Sequence, residues 1–337
     1  MSQIKWLLTQ YLKRSELKQK SSGFTLIELL VGMLLAFLVI TPLLGFMVNV
    51  MDNDRKEQAK VTSEQELKAA LDFISRDLEQ AVYIYDADGI AAIRSQLPKS
   101  DQQTNYFPVL VFWKRRHIVG GLPVGTGSTA GFDDTFVYSL VAYYFIKGDN
   151  ANNTWSKAAR IGRFEISDGY GKTNTEIEST KDAGFQIFDP NGTYTTLKDK
   201  MNNWTKSTDA YTQDILPLVD YIDQTTISES TEFTRPNCPL IPGTQQLQQV
   251  PNYAAGATGA AVADANLKTG SFYVCVKSSP TSTATESAIT VAQVHLRGNA
   301  FARIENDDNR IKYSGDKKVY FPEVSARVKG RGFLFTK

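Results

Sequence analysis

The sequence contains few of the residues from which most catalytic and metal sites are built. Its 337 residues include two cysteines and two histidines. Two cysteines exclude a disulfide-dense scaffold and a four-cysteine zinc site. His117 and His295 are far apart in the sequence, and neither a His-Glu-x-x-His nor a Gly-x-Ser-x-Gly motif occurs. We therefore expect a protein that is not an enzyme and that has no cofactor and no metal site.

The sequence also lacks an excess of charge of either sign. Its net charge is +1 at pH 7, whereas a dedicated nucleic-acid-binding domain is normally strongly basic. We therefore expect no specific nucleic-acid partner. Because 42% of the residues are hydrophobic and 11% are aromatic, the composition also excludes wholesale disorder.

A single long apolar run is present, from Phe24 to Met51, and Glu28 is its only charged residue. A basic leader, residues 1–23, precedes it. An ordinary secretory signal peptide has an apolar core of about 7 to 15 residues and a small-residue cleavage site, and this run fits neither. As a helix it would be roughly 42 Å long, enough to span a hydrocarbon core of roughly 30 Å. The positive-inside rule places the leader in the cytoplasm and everything after Met51 on the other side.

A plain membrane anchor leaves Glu28 unexplained, because a carboxylate in lipid is costly unless it is neutralised or paired. The string Gly23-Phe24-Thr25-Leu26-Ile27-Glu28, between a basic leader and an apolar helix, resembles the class III signal of type IV pilins and type II secretion pseudopilins. This resemblance implies that a prepilin peptidase cuts between Gly23 and Phe24 and methylates the new amino group of Phe24. It further implies that Glu28 pairs with the amine of a neighbouring subunit in a filament. The alternatives are that Glu28 is only protonated, or that it pairs with its own Phe24 amine.

The helical pattern continues beyond the apolar run. Pro42 and Gly45 weaken the helix locally and predict a helix break, either a fixed kink or a hinge used in assembly. Further along, apolar residues recur at spacings of 4, 3, 4 and 3 and form a stripe that needs a cover: Leu67, Leu71, Ile74, Leu78 and Ala81. A downstream sheet would supply the cover, and a coiled coil with a partner helix is the alternative. We predict one helix from about residue 24 to about residue 82.

The segment from Phe73 to Ala81 resembles the helix of the larger minor pseudopilins, the J type of type II secretion and the related W type of pili. A generic amphipathic helix is the alternative. The resemblance implies an α+β pilin fold, in which a long N-terminal helix, transmembrane in its first half, packs on an antiparallel β-sheet with long variable loops. The predicted parts are a cleaved leader (1–23), a membrane or filament-core half (24–51), an amphipathic half (52–88) and an extracytoplasmic β-rich domain (89–337).

Strands are predicted where β-favouring residues lie between turn residues. We interpret 120–131 and 169–180 as irregular, and about 189–251 as an irregular insertion. The predicted strands are Phe107–Trp113, Thr135–Ile146, Ile161–Ile166, Phe272–Val276, Ala288–Leu296 and Val319–Phe321.

Cys238 and Cys275 lie outside the cytoplasm by the topology argument, where an oxidising compartment favours a disulfide. Type IV pilins often close a C-terminal loop in this way, and two buried thiols are the alternative. The acids at 133–134 and 307–308 are candidate calcium ligands, but neither stretch has EF-hand spacing, so solvated loops explain them better. Residues 297–337 are rich in Lys and Arg. They form either a surface for an anionic polymer, polysaccharide or DNA, or a charged strand edge that resists aggregation.

The size, the helix and the strings at 139–146 and 292–300 resemble the hormogonium polysaccharide secretion pseudopilins of filamentous cyanobacteria. The resemblance implies a minor pseudopilin in a filament for polysaccharide secretion and gliding motility. Its partners would be the prepilin peptidase, other pilins or pseudopilins, the inner-membrane assembly platform and the membrane itself. The alternatives are a minor pilin of a type IV pilus, serving twitching, adhesion or DNA uptake, and a membrane-anchored extracytoplasmic polysaccharide-binding protein.

Overall fold

The computed structural model describes residues 23–125, 131–148, 154–189, 194, 196–228, 237–238, 247–252, 267–277 and 291–330. The chain divides into two compact units, residues 1–54 and residues 55–337. The predicted architecture is confirmed, because a long N-terminal helix is followed by antiparallel β-sheet.

Helix α1 runs from Leu26 to Glu79, close to the predicted range. In the first unit, the described residues are all exposed, and the helix is long and apolar enough to cross a membrane. In the second unit, buried α1 residues recur along one face and include the predicted stripe. These residues are Ala59, Ser63, Leu67, Ala70, Leu71, Ile74, Asp77 and Leu78.

Two antiparallel sheets form most of the second unit. Sheet A has the strand order β1-β2-β3-β4-β5, and sheet B has the order β6-β7-β8-β9. The buried apolar residues of α1 from Leu67 to Leu78 belong to one core cluster with buried residues of both sheets, so the sheets supply the cover that the stripe requires. The strands are Ala81–Ile84 (β1), Tyr106–Val124 (β2), Gly131–Ile146 (β3), Ala159–Ser167 (β4), Leu216–Ile222 (β5), Gln248–Val250 (β6), Phe272–Val276 (β7), Val291–Arg297 (β8) and Glu323–Lys329 (β9).

Short helices connect the strands. They are Ala87–Ile93 (α2), Asn174–Thr180 (α3) and Leu197–Asn202 (α4), with 3₁₀ turns at Arg94–Gln96, Ala300–Arg303 and Gly315–Tyr320.

Most predicted strands lie within or close to observed ones, but the strand predicted at Val319–Phe321 is wrong. Residues 319 and 320 close the last 3₁₀ turn, and the strand follows Pro322, where Val324, Ala326 and Val328 alternate with polar residues. The interpretation of 120–131 as irregular is also wrong at both ends, because Gly120 adopts a positive φ of 61°. The resulting register shift between Ile118 and Leu122 continues β2 as a bulged strand.

The segment predicted as an irregular insertion, about 189–251, contains regular structure that the sequence pattern did not reveal. It holds α4, β5 and β6. Pro217 masked β5, and the structure places this strand at the edge of sheet A, where a missing N–H is tolerated. Helix α3 likewise occupies part of the stretch predicted as irregular at 169–180, and it begins after the N-cap Thr173.

Candidate processing and assembly site

Gly23 and Phe24 precede the first turn of α1 in non-helical backbone. A Cβ atom built on Gly23 meets no atom within 4 Å, and Phe24 is 80% exposed. The peptide bond between them is therefore accessible in this chain. Within the part of the chain that the structure describes, a Cβ at position 23 therefore has open space.

Thr25 is the N-cap of α1. Its side-chain oxygen accepts the backbone N–H of Glu28 at 3.3 Å, and its carbonyl accepts the N–H of Leu29 at 3.1 Å. Sequence reasoning missed this residue, although the Thr-x-x-Glu spacing of a capping box was present in the string. The cap makes the helix begin after Thr25 and leaves the Gly23–Phe24 peptide bond outside the helix.

Glu28 lies in the first turn of α1, where a negative charge is favoured by the helix dipole. Its neighbours Ile27 and Leu29 are 70% and 65% exposed. Glu28 thus presents a carboxylate on an apolar helix surface, one turn from Phe24. This arrangement is suited to pairing with an amine once the surrounding surface is buried.

Pro42 lacks the N–H that would bond to the carbonyl of Leu38, and the Thr41 hydroxyl donates to the Phe37 carbonyl at 2.8 Å. Helix α1 nevertheless continues through Pro42 and Gly45. The role of these two residues as a helix break during assembly stays a prediction.

A buried ion network joins the second half of α1 to sheet A. Asp77 accepts hydrogen bonds from the Lys114 ammonium at 2.9 Å, from Arg163 Nε at 2.7 Å and from the Tyr143 hydroxyl at 2.7 Å. Glu165 completes the network, since it lies 3.0 Å from Lys114 and contacts Arg163. The strand register places Tyr143 directly opposite Arg163. The charges of two carboxylates and two cations therefore balance between α1 and one face of sheet A.

The network shifts the pKa of both acids. Burial alone would raise the pKa of Asp77, but the hydrogen bond from Arg163, the Lys114 and Arg163 cations and the Tyr143 hydroxyl together lower it below its ordinary value. Burial opposes the same cations at Glu165, and the pKa of Glu165 is lowered as well. Both acids are therefore held in the charged form. Helix α1 is fixed to the sheet by charge as well as by its apolar stripe.

A second set of polar contacts joins α1 to the segment that follows β8. Arg303 donates to the Ser63 hydroxyl at 3.0 Å, pairs with Glu66 and lies over the ring of Tyr221 at 4.0 Å. A Cβ on Gly298 would lie 2.7 Å from Leu67 Cδ1, so the backbone approaches α1 closely here. The helix is thus held at two levels by two parts of the second unit.

Cys238 and Cys275 form a disulfide, as predicted. Both cysteines are buried, and they form a small cluster with Leu247 against Tyr273. The bond ties the short segment at 237–238 to the central strand β7 of sheet B.

The two histidines lie in different sheets and make different contacts. His117 on β2 lies 3.2 Å from Asp134, and His295 on β8 stacks on Tyr273 with ring centroids 4.4 Å apart.

The candidate calcium ligand Asp307 makes a local contact, because its carboxylate accepts the N–H of Asn309 at 2.9 Å. In the ranges given above, no group of three or more His, Cys, Asp and Glu side chains is arranged to hold a metal ion.

Comparison with known proteins identifies the kind of signal that the N-terminal segment carries. The model of the family described as a prokaryotic N-terminal methylation motif matches residues 18–44. No curated protein and no solved structure matches the chain. The chain therefore carries a type IV pilin-like class III signal, which implies processing by a prepilin peptidase. The signal and the apolar helix together support a membrane-anchored pilin or pseudopilin, a structural subunit that assembles with other pilins.

Proposed function

We propose that the chain is a non-enzymatic minor pseudopilin of a filament related to type IV pili and type II secretion. The prepilin peptidase cleaves between Gly23 and Phe24 and methylates the Phe24 amine. The leader lies in the cytoplasm, and residues after Met51 lie on the far side of the inner membrane. The observation that carries this proposal is the exposed carboxylate of Glu28 on an apolar helix, one turn from the Phe24 amine that cleavage creates.

Assembly follows from the cost of burying that carboxylate. When apolar helices leave the bilayer and bundle, an unpaired Glu28 is strongly unfavourable, whereas pairing with the Phe24 amine of a neighbouring subunit offsets the desolvation. A single axial offset between two helices brings the two groups together, so the pair fixes the register of the filament. The apolar surfaces of the helices supply the rest of the contact.

We infer a minor position in the filament from the size of the subunit. Removal of residues 1–23 leaves 314 of the 337 residues, which is bulky for a subunit repeated along a whole fibre. Within the second unit, the ion network and the Arg303 contacts hold the rest of the fold firmly on the second half of α1. A large domain fixed to its helix in this way suits a place near the filament tip or its initiation complex.

We further propose that the filament serves polysaccharide secretion and gliding motility, since the chain resembles hormogonium polysaccharide secretion pseudopilins. A deletion strain, complemented with wild type or Glu28→Gln, would be scored for surface pili, secreted polysaccharide and motility. We expect loss of polysaccharide and motility with pili intact, and rescue by wild type alone. Loss of pili would instead indicate a type IV minor pilin. Normal output in all three assays would contradict an assembly role, and rescue by Glu28→Gln would leave a membrane-anchored binding protein as the better account.

A further inference from the structure

The outer halves of β2 and β3 form a hairpin that extends past the strands beside it. We call residues 115–124 and 131–138 the arm. Strand β1 pairs with β2 only at residues 112–114, and β4 pairs with β3 only from Ser139 onward. The arm is therefore a two-stranded ribbon that is largely exposed beyond its base, where Val137 is 2% exposed and Tyr138 packs on Phe188 with ring centroids 5.6 Å apart.

The strand register sorts the arm's side chains by chemistry. Directly paired residues of an antiparallel ladder lie on the same face, and the pairs Arg115–Tyr138, His117–Phe136 and Pro123–Phe132 collect rings and a guanidinium on one face. We call these six residues the ring face. The opposite face carries Arg116, Ile118, Leu122 and Val124, paired with Val137, Thr135, Asp133 and Gly131, and Arg116 lies over the ring of Tyr170.

Two phenylalanines of the ring face are open to solvent. Phe132 is 55% exposed and Phe136 is 50% exposed, whereas Phe107 and Phe112 in the inner half of the same hairpin are at most 1% exposed. Large apolar side chains grouped on a surface are typical of binding sites. The contrast within one hairpin indicates that Phe132 and Phe136 do not serve the core.

Cations lie against both exposed rings. The Arg115 guanidinium is 4.4 Å from the ring centroid of Phe136, and the Lys172 ammonium is 5.3 Å from that of Phe132. Lys172 belongs to the loop after β4, which is joined to the arm by the hydrogen bond from the Gly171 N–H to the Gly121 carbonyl at 3.0 Å.

The acid on this side of the arm is engaged locally. Asp134 accepts the Gly120 N–H at 2.9 Å and lies 3.2 Å from His117 Nε2. Glu176 lies next to Lys172 and accepts its backbone N–H at 2.6 Å, so two carboxylates and two cations lie near the ring face. The Arg115 guanidinium and the Lys172 ammonium beside the rings can donate to an anionic group, and the rings complement an apolar planar surface.

We propose that the ring face, together with Lys172, binds an acidic polysaccharide. The C–H faces of sugar rings pack on Phe132 and Phe136, and carboxylate or sulfate groups of the polymer reach Arg115 and Lys172. This assignment deepens the proposed role in polysaccharide secretion and rests on it for its biological meaning. It also places the polymer site away from the C-terminal basic strand β9, where Arg327 and Lys329 project from a sheet edge.

The test uses the purified full-length chain in detergent micelles and immobilised polygalacturonate, sulfated dextran and neutral dextran. We expect binding to both acidic polymers, weakened by salt, and little binding to neutral dextran. Phe132→Ala with Phe136→Ala, and separately Arg115→Gln with Lys172→Gln, should each weaken binding about tenfold. Leu216→Ala, at a site 67% exposed on the opposite edge of sheet A, is the matched control and should bind like wild type.

Several outcomes would overturn the assignment. Absence of binding to both acidic polymers would do so, as would equal binding to single-stranded DNA, which would reduce the effect to general polyanion attraction. Loss of binding in Arg327→Gln with Lys329→Gln but not in the arm variants would move the site to β9. If the purified chain bound neither acidic polymer but arm variants impaired secretion in cells, the arm would bind a protein partner rather than a polysaccharide. Because binding is measured on purified chain, its failure is separate from a failure of cleavage or assembly.

Discussion

Replacing Asp77 by asparagine tests whether the ion network fixes α1 on sheet A. The Asp77 side chain is 8% exposed and accepts three hydrogen bonds, from Lys114, Arg163 and Tyr143. Asparagine keeps the size of the side chain but removes its charge. Lys114 and Arg163 then share only the Glu165 carboxylate, so one positive charge remains uncompensated in a largely buried site.

The expected magnitude follows from the cost of breaking a buried ion pair. Removing one partner of such a pair costs about 3–5 kcal/mol of the free energy of unfolding. Glu165 remains 3.0 Å from Lys114 and compensates in part, so we expect the lower end, about 3 kcal/mol. Tyr143→Phe removes one neutral donor to the same charged carboxylate and should cost about 2 kcal/mol.

Urea denaturation of the full-length chain in detergent measures this change. Trp113 and Trp204 are 0% and 4% exposed, so their fluorescence reports unfolding of the second unit. Asp72→Asn is the matched control, since Asp72 is exposed on the same helix and should change stability by less than about 0.5 kcal/mol. If Asp77→Asn were as mild as Asp72→Asn, the network would not be what holds the helix.

Two further predictions concern the same unit. Because the folded-state pKa values of Asp77 and Glu165 lie below their unfolded values, the network stabilises the fold above about pH 4 and this contribution is lost as the pH falls through the folded pKa values. Urea midpoints measured from pH 7 to pH 3 should therefore fall more steeply for wild type than for Asp77→Asn, and parallel curves would contradict the assignment. Cys238→Ser with Cys275→Ser opens a loop with a sequence separation of 37 and should lower the free energy of unfolding by up to about 4 kcal/mol. Non-reducing peptide mapping that found both wild-type cysteines alkylatable would disprove the disulfide in the mature protein.

Local periodicity was enough to predict α1 and its buried stripe, because both depend on residues only three or four positions apart. The ion network could not be predicted, since it joins residues on a helix and three strands whose register is set by the folded sheet. Its single signal was Asp77, an acid next to Leu78 and three residues after Ile74 on the apolar stripe. Glu28 is likewise an acid among apolar residues, and in that case the sequence alone was enough to predict a site residue.

The remaining misses have local physical causes. The prediction of a strand at 319–321 fails because these residues lie before Pro322, which separates the 3₁₀ turn from β9. The interpretation of 120–131 as irregular rests on glycines that suggest turns, whereas a positive φ at Gly120 preserves the ladder through a bulge. Strand β5 was hidden by Pro217, which only an edge position accommodates.

The central claim is that the N-terminus is a class III signal cut before Phe24. Mass spectrometry of the mature protein, isolated from membranes of its own host, tests it most directly. The account predicts an N-terminal peptide that begins with N-methylated Phe24, and a chain that retains its leader when Gly23 is replaced by a bulky residue. A Cβ at position 23 meets no atom of the described residues within 4 Å, so such a defect reports recognition by the peptidase rather than misfolding. A mature chain that begins elsewhere, or one processed at Phe24 despite a bulky residue at 23, would contradict the claim.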